Sequence, residues 1–263
     1  MKQVSLVDYA QKQGETQSKP VSYLEIYEQY FSSYRDRNVK VLELGVADGK
    51  SVKMWRDYFP MGTIVGLDLF PPEMSEQRIY LYKGAQNDTA LLSRIATERA
   101  PEGFDIIVDD AAHIGELAKI SFWHLLKHHL KPGGVYVLED WGTGYWRNHP
   151  YYPDGNYFSE KSDETFLHRL ANKTLKGAPV EWPKLNFLQK LLRPYQYTRK
   201  FKSHEFGLPG FIKQLVDEVG RSDFTHPEYG VPKSRSASAQ VEPSPFASVL
   251  VTPGVTLITK ARF

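Results

Sequence analysis

The segment Val41–Gly49, VLELGVADG, constrains the fold of this chain more than any other. An apolar run that ends in a glycine turn predicts a buried β-strand leading directly into a helix, and the acidic Asp48 lies at the mouth of this turn. In α/β folds such turns bind cofactors at the carboxyl edge of the sheet. The sequence therefore predicts an α/β protein with a cofactor-binding turn after its first strand.

The glycine spacing of this turn excludes the common phosphate-binding turns. A dinucleotide turn needs three glycines in the pattern Gly-x-Gly-x-x-Gly, whereas only Gly45 and Gly49 are present here. A Gly-Lys-Ser ending follows, as in a P-loop, but Gly45 lies one residue too close and Asp48 would repel a phosphate. A cofactor without a phosphate fits better. Asp68, which ends a second apolar run, can accept hydrogen bonds from the ribose diol of such a cofactor.

Composition bounds the class of protein. With 263 residues and 41% hydrophobic content, the chain can bury one sizeable core, so we expect a single domain, 1–263, with insertions. Lys and Arg number 33 against 31 Asp and Glu, which argues against nucleic acid or a membrane as partner. The absence of cysteine excludes disulfides and thiolate metal sites. No membrane-length apolar run or signal peptide is recognisable, so we expect a cytoplasmic location.

Short apolar runs alternate with stretches of helical spacing along much of the chain. Continuous apolar runs predict strands that are buried on both faces, as in a parallel sheet covered by helices. Two β-rich runs around Pro253-Gly254 predict a closing hairpin. We therefore predict an α/β, doubly wound, mostly parallel seven-stranded sheet with a C-terminal antiparallel hairpin. The predicted strands are Val39–Leu44, Ile64–Asp68, Ile79–Lys83, Phe104–Asp109, Val135–Glu139, Phe246–Thr252 and Val255–Lys260.

Three segments depart from this alternation. Residues 1–38 predict an N-terminal helical extension with a helix at Ser22–Tyr34. Residues 141–205 predict a substrate-side insertion or lid, which includes a solvated helix within Lys184–Lys202. Residues 221–245, rich in Ser, Pro and Gly, predict a mobile loop. The predicted core helices are Lys50–Tyr58, Asp88–Arg99 and Gly115–His129, and Lys131–Gly134 predicts a helix stop and a turn into the fifth strand.

Acidic residues follow the fourth and fifth predicted strands. If these strands are neighbours, the ends that carry Asp110 and Asp140 lie about 4.8 Å apart. Carboxylates this close repel each other, and a hard divalent cation such as Mg²⁺ removes the repulsion. His113, three residues beyond Asp110, can face the same site and accept a proton from a substrate hydroxyl. The alternative is that the aspartates cap the next helix and that His113 is a solvated helix residue.

With these residues in place, the chain resembles the class I S-adenosylmethionine (SAM)-dependent methyltransferases. In that family a Glu-x-Gly-x-x-x-Gly turn holds the methionine end of the cofactor, and an acidic residue closing the second strand holds the ribose. Glu43, Gly45, Gly49 and Asp68 match those positions. The resemblance therefore implies that SAM is the cofactor of the turn.

A wider set of motifs resembles the macrocin and mycinamicin type of macrolide deoxysugar O-methyltransferase. The resemblance covers nearly the whole chain except residues 150–195 and 221–245. It implies SAM- and Mg²⁺-dependent methyl transfer to a sugar hydroxyl of a glycosylated natural product, by a homo-oligomer such as a dimer or tetramer. The motifs are Tyr23-x-x-x-Tyr27-Glu28-x-x-Phe31, Glu43-Leu-Gly-Val, Gly84-Ala-Gln86-Asn-Asp88, Asp109-Asp110-x-x-His113, Lys131-Pro-Gly-Gly, Glu139-Asp140 with Tyr145-Trp146, and the final hairpin ending in Lys260.

The resemblance also assigns roles to individual residues. It implies His113 as the catalytic base and Asp110 and Asp140 as metal ligands, with Glu28 as the third ligand and Glu25 as its alternative. The expected cofactor-binding residues are Glu43, Gly45, Gly49, Asp68, Gln86, Asp88 and Asp109, although Gln86 and Asp88 could instead cap a helix. The aromatic residues Trp141 and Tyr145 are expected to contact the substrate, with packing as the alternative.

Two other functions stay open on the sequence. A metal-dependent O-methyltransferase of a catechol-like diol would need the same cofactor and ion, because adjacent oxygens bind the metal in either case. A non-catalytic methyltransferase-like oligomer partner would bind the cofactor without turnover. Retention of Asp110, His113 and Asp140 together argues against the second alternative.

Overall fold

The computed structural model describes residues 4–14, 19–146, 166–176, 178–179, 182–197, 207–220 and 243–262. The helices in these ranges are α1 (Leu6–Gln13), α2 (Val21–Phe31), α3 (Lys50–Tyr58), α4 (Thr89–Arg99), α5 (Gly115–His128), α6 (Phe166–Leu175), α7 (Phe187–Leu192) and α8 (Gly207–Gly220). The strands are β1 (Lys40–Leu44), β2 (Thr63–Asp68), β3 (Ile79–Lys83), β4 (Phe104–Asp109), β5 (Leu130–Glu139), β6 (Phe246–Val251) and β7 (Val255–Lys260).

The seven strands form one sheet in the order β3-β2-β1-β4-β5-β7-β6. Strands β1 to β5 pair in parallel, and β7 inserts antiparallel between β5 and β6. The predicted fold class is therefore confirmed. The chain runs outward from β1 to β3 and then returns to place β4 on the other side of β1, so the strand order reverses between β1 and β4. Ligands of open α/β sheets bind at such a reversal, outside the carboxyl ends of the strands.

Alternation along the strands divides the apolar residues between two helical layers. Val41 packs on the face covered by α1, α2 and α3, whereas Leu42 and Leu44 pack on the face covered by α4, α5 and α8. The same alternation holds in β5, where Val137 and Tyr136 face opposite layers. Side chains of successive residues at a strand end therefore enter different layers. Adjacent acidic residues at the end of a strand, such as Asp109 and Asp110, thus have different surroundings.

Two details differ from the predictions or refine them. The predicted turn at Lys131–Gly134 lies inside β5, which begins at Leu130. Leu130 pairs with Phe104 and Val135 with Ile106, so the four residues between form an irregularity in the register. The predicted lid helix is broken into α7 and short 3₁₀ turns, Trp182–Lys184 and Arg193–Tyr197, since Pro194 interrupts the helical hydrogen bonds. The rest of that segment lies outside the described residues.

Helix α2, with the 3₁₀ turn at Ser32–Tyr34 that follows it, confirms the helix predicted at Ser22–Tyr34. The predicted mobile loop, 221–245, falls outside the described residues except for its last three positions. In the part of the chain that the structure describes, no helix combines the length and the apolar character that crossing a membrane requires.

Candidate active site

The turn between β1 and α3 lies where the strand order reverses. Gly45 and Gly49 adopt left-handed conformations, with φ of 83° and 82°. A Cβ on Gly45 would stand 2.1 Å from the carbonyl oxygen of Asp110, and the Asp110 N–H donates to the Leu44 carbonyl at 2.8 Å. The ends of β1 and β4 are therefore in direct contact, and only glycine fits at position 45.

A cavity of about 660 Å³ opens at the carboxyl ends of β1 to β4. Its volume is within the range of small-molecule and cofactor sites, and most of its lining is apolar. Of the predicted cofactor residues, Gly45, Asp68 and Gln86 line it directly. The wall also includes Phe70 and Leu117. The cavity thus has the position, size and lining that a nucleoside cofactor needs.

Asp68 closes β2 at the edge of this cavity. Its Oδ2 accepts hydrogen bonds from the backbone N–H groups of Val46 at 2.8 Å and Ala47 at 3.0 Å, and its Oδ1 accepts from the Phe70 N–H at 2.8 Å. Partial burial alone would raise the pKa of Asp68, but these backbone donors outweigh burial and hold the pKa below its ordinary value. The ionised carboxylate therefore fixes the glycine turn and presents acceptor oxygens to the cavity.

Glu43 lies beneath the turn and is fully buried. It accepts hydrogen bonds from Ser51 Oγ at 2.7 Å and from Trp55 Nε1 at 3.2 Å, so it fastens β1 to the first turns of α3. Burial raises the pKa of Glu43 to about 7, against the opposing effects of Lys19 and these donors. Glu43 is not part of the cavity wall. Contact with the methionine end of a cofactor stays a prediction for this residue.

Gln86 joins the end of β3 to the loop that follows β4. Its Nε2 donates to Asp109 Oδ1 at 3.1 Å, and its Oε1 accepts from the Ala112 N–H at 3.0 Å. Asp109 also accepts from Tyr136 and Ser121, and burial raises its pKa to about 6. Asp109 is therefore an internal anchor of this loop, and it does not line the cavity.

Asp88 lies at the N-terminus of α4. Its carboxylate accepts from the Leu91 N–H at 3.0 Å, which is the geometry of a helix cap. Asp88 does not line the cavity either. Asp88 therefore caps α4, as the alternative interpretation of the sequence expected. A role for Asp88 in cofactor binding stays a prediction.

Asp110, His113 and Asp140 meet at the ends of β4 and β5. One potential ligand atom from each lies within 4.8 Å of the others. His113 Nε2 is 3.8 Å from Asp110 Oδ1 and 4.0 Å from Asp140 Oδ2. His113 and Asp140 both have φ of 52°, an uncommon conformation for residues other than glycine. The two carboxylates offer suitable oxygen donors for a hard divalent cation, and the His113 imidazole lies beside them.

Helix α2 and the residues before it approach this group from the side. Tyr23 Oη donates to Asp140 Oδ1 at 2.8 Å, and Tyr27 Oη donates to Glu139 Oε1 at 2.7 Å. Lys19 Nζ donates to Asp110 Oδ2 at 2.8 Å and to Glu139 Oε1 at 2.7 Å. Side chains spaced four residues apart along the chain thus contact the acidic strand ends. Lys19 was not predicted from the sequence as a site residue, and its four-residue spacing from Tyr23 was the available signal.

Lys19 is buried, with 1% of its surface exposed. Burial alone would lower the pKa of Lys19, but Asp110, Glu139 and Glu43 hold it well above its ordinary value. Burial raises the pKa of Glu139, and the charge of Asp110 adds to that effect, while Lys19 and Tyr27 oppose it. The group therefore contains one permanent ammonium surrounded by several carboxylates.

Glu28 and Glu25 do not join the group of possible metal-holding residues within the described part of the chain. Glu28 Oε2 accepts from the Leu6 N–H at 2.6 Å, which ties α2 to the start of α1, and Glu25 is exposed. These two glutamates point away from the site because Tyr23 and Tyr27 occupy the face of α2 that meets the sheet. The structure therefore does not bring the expected third ligand to the site.

Trp141 and Tyr145 lie in the 3₁₀ helix directly after Asp140. Trp141 Nε1 donates to the Thr252 carbonyl at 2.9 Å, and the two rings pack edge to face at 5.8 Å. Trp141 thus links the site to the β6–β7 hairpin. Contact of either ring with a substrate stays a prediction.

Comparison with known proteins finds similarity to sugar O-methyltransferases over part of the chain. No protein-family model matches the chain. Over 128 residues the chain is 42% identical to the mycinamicin VI 2''-O-methyltransferase of Micromonospora griseorubida and 41% identical to the demethylmacrocin O-methyltransferase of Streptomyces fradiae. These matches span 46% of this chain but only 31% and 32% of the two relatives. The matched segment therefore corresponds to less than two thirds of either relative.

A solved structure gives a longer match. The MycE methyltransferase of the Mycinamycin biosynthetic pathway, in complex with Mg, SAH and Mycinamycin VI, aligns with a TM-score of 0.65 at 25% identity. The alignment covers 99% of this chain and 54% of that chain. The resemblance stated from the sequence motifs is confirmed by these matches.

Proposed function

We propose that this chain is a SAM- and Mg²⁺-dependent O-methyltransferase that acts on a hydroxyl of a sugar, or deoxysugar, carried by a natural product such as a macrolide. The main observation behind the proposal is that the cavity and the group of Asp110, His113 and Asp140 adjoin at one edge of the sheet. The cavity reaches Asp110, and Asp110 is also a member of the Asp110, His113 and Asp140 group. A cofactor in the cavity would therefore lie beside the candidate metal site.

The cavity fits SAM for reasons that concern this chain's own residues. Gly45 lets the turn pack directly against the Asp110 carbonyl at the cavity wall, and Asp68 offers carboxylate oxygens at the end of β2. Gln86 is part of the wall and holds the Asp110 loop through the Ala112 N–H. SAM supplies an electrophilic methyl group when bound. Gly45, Asp68 and Gln86 bind and orient the cofactor in this proposal.

The acidic group fits a hard divalent cation. Asp110 and Asp140 offer the oxygen ligands that Mg²⁺ prefers, and such a site retains open positions for water or substrate oxygens. When bound, the ion supplies Lewis acidity that favours loss of a proton from a sugar hydroxyl. Asp110 and Asp140 hold the ion in this proposal. Glu28, whose side chain accepts a hydrogen bond from the start of α1, would need to move to take part.

His113 is the candidate base. Its Nε2 lies 3.8 Å from Asp110 Oδ1 and 4.0 Å from Asp140 Oδ2, so it faces the point where the acceptor oxygen would be held. An imidazole there can accept the hydroxyl proton as the oxygen attacks the methyl group. Alignment of the acceptor with the methyl donor supplies a further part of the acceleration.

The assignment of a sugar as the methyl acceptor rests on similarity to the relatives. Two of the bacterial enzymes that the chain resembles are named for mycinamicin VI and demethylmacrocin, and one solved MycE structure is a complex with Mycinamycin VI. We extend to this chain only the shared class, a hydroxyl of a glycosylated natural product. A homo-oligomeric state and a cytoplasmic location also remain proposals.

Metal dependence is the first test of the proposal. We expect treatment with a chelator to abolish methyl transfer from SAM to a glycoside, and added Mg²⁺ to restore it, because the ion held by Asp110 and Asp140 would supply the Lewis acidity that favours loss of the hydroxyl proton. The measurement is turnover with and without chelator, with SAH binding as a control for an intact cofactor cavity. Full turnover in chelator would contradict the metal mechanism.

A further inference from the structure

We infer that Lys19 and Tyr23 are positioning residues of the metal centre, which hold the outer oxygens of Asp110 and Asp140 so that each carboxylate directs one oxygen to the ion. The inference rests on the proposed function, because it assumes that the ion binds at these aspartates. It concerns residues that lie before and within α2, far in sequence from either aspartate.

The two oxygens of Asp140 have different neighbours. Oδ1 accepts the Tyr23 hydroxyl at 2.8 Å, whereas Oδ2 lies toward His113 Nε2 at 4.0 Å. One oxygen is therefore held from outside while the other faces the candidate metal position. A hydrogen bond to one oxygen orients the carboxylate and favours coordination of the ion through the other oxygen.

Asp110 shows the same division. Its Oδ2 accepts Lys19 Nζ at 2.8 Å, and its Oδ1 lies toward His113 Nε2 at 3.8 Å. The outward oxygens thus carry charged or hydroxyl donors, and the inward oxygens converge with His113. Residues that hydrogen-bond to the non-coordinating atom of a metal ligand orient that ligand and tune the affinity of the site for the ion.

Lys19 has a second effect because it is a fixed charge. Its ammonium lies 2.7 Å from Glu139, 2.8 Å from Asp110 and 3.6 Å from Glu43. Without the ammonium, buried carboxylates would face one another with no positive charge until a cation arrived. Lys19 therefore keeps the site assembled when no ion is bound.

Tyr23 is itself held in place. It is 8% exposed, and its ring packs in the core beneath α2. The turn of the β6–β7 hairpin lies directly against its hydroxyl, because a Cβ on Gly254 would come within 1.8 Å of Tyr23 Oη. The hydroxyl is thus confined between the hairpin turn and Asp140, as a positioning group requires.

The first test is Tyr23→Phe, which removes only the hydroxyl. We expect the dissociation constant for Mg²⁺, measured by calorimetry on the chelator-treated full chain, to rise about tenfold. The melting temperature without metal and the affinity for SAH should stay at their wild-type values. Tyr34→Phe is the matched control, because Tyr34 Oη donates at 3.0 Å to the Gly133 carbonyl instead of a site carboxylate.

The second test is Lys19→Met. Removing the buried ammonium should lower the melting temperature of the metal-free protein by about 10 °C. Saturating MgCl₂ should recover more of the melting temperature in this variant than it adds to the wild type. Lys19→Arg keeps the charge and should stay closer to the wild type than Lys19→Met does.

The outcomes separate the two claims. Equal Mg²⁺ affinities of Tyr23→Phe and the wild type would overturn the assignment of Tyr23. An unchanged metal-free melting temperature in Lys19→Met would overturn that of Lys19. If the wild-type chain binds no Mg²⁺ or Mn²⁺, the proposed function fails and this inference fails with it.

Discussion

Replacing His113 with asparagine is expected to lower kcat for methyl transfer by about 10²–10⁴-fold, the usual contribution of a general base. The reason is that the imidazole is the basic group beside both Asp110 Oδ1 and Asp140 Oδ2, at 3.8 Å and 4.0 Å. Affinity for SAH should be preserved, because His113 is not part of the wall of the cofactor cavity. Single-turnover kinetics at saturating SAM would separate this effect from binding.

Asparagine is a sharper substitution here than alanine. His113 has φ of 52°, and asparagine tolerates this left-handed conformation better than most residues. His113→Ala should lose a similar fraction of turnover but can add backbone strain. His128→Ala is the matched control, since His128 is an exposed histidine at the end of α5. Turnover of His113→Asn near the wild-type rate would remove His113 from the mechanism.

The second large effect is expected for Gly45→Ala. The left-handed φ of 83° costs about 1–3 kcal/mol for a residue with a Cβ. In addition, the new Cβ would lie 2.1 Å from the Asp110 carbonyl oxygen, and backbone cannot yield there without moving the end of β4. Because Asp110 belongs to both the cavity and the metal group, we expect SAH affinity and Mg²⁺ affinity to fall together, each by roughly tenfold or more.

The control for this substitution is another glycine. A Cβ on Gly220 would meet nothing within 4 Å, so Gly220→Ala should leave both affinities unchanged. Calorimetry with SAH and with MgCl₂ measures the two effects on each variant. If Gly45→Ala binds SAH as the wild type does, the turn between β1 and α3 does not form the cofactor cradle.

Much of the site could be predicted because the local sequence shows where each strand ends and which residues alternate between its two faces. The apolar runs predicted the strands, and the residues after them had to meet at one edge once the strands paired in parallel. Alternation then sends Asp109 to the α5 layer, where Tyr136 and Ser121 bind it, and leaves Asp110 at the site. Asp109 and Asp110 therefore differ in role although they are adjacent.

The contribution of α2 was harder to predict because it depends on the rotation of a helix docked from far along the chain. The resemblance pointed to Glu28, but the helix turns Tyr23 and Tyr27 toward the carboxylates and directs Glu28 to α1. Lys19 precedes the helix and is buried only because acidic strand ends surround it. From the sequence alone, a lysine in such a position is expected to be exposed to solvent, because lysine is rarely buried.

The central claim is that this chain transfers a methyl group from SAM to a sugar hydroxyl with the help of a divalent metal. The most direct measurement incubates the protein with SAM, Mg²⁺ and a panel of macrolide glycosides, their aglycones and simple catechols, and detects products by mass spectrometry. We predict that a glycoside gains one methyl mass, located on its sugar by fragmentation, and that chelator prevents the gain. Methylation of catechols or aglycones alone, or no methylation of any acceptor by a protein that binds SAM, would contradict the claim.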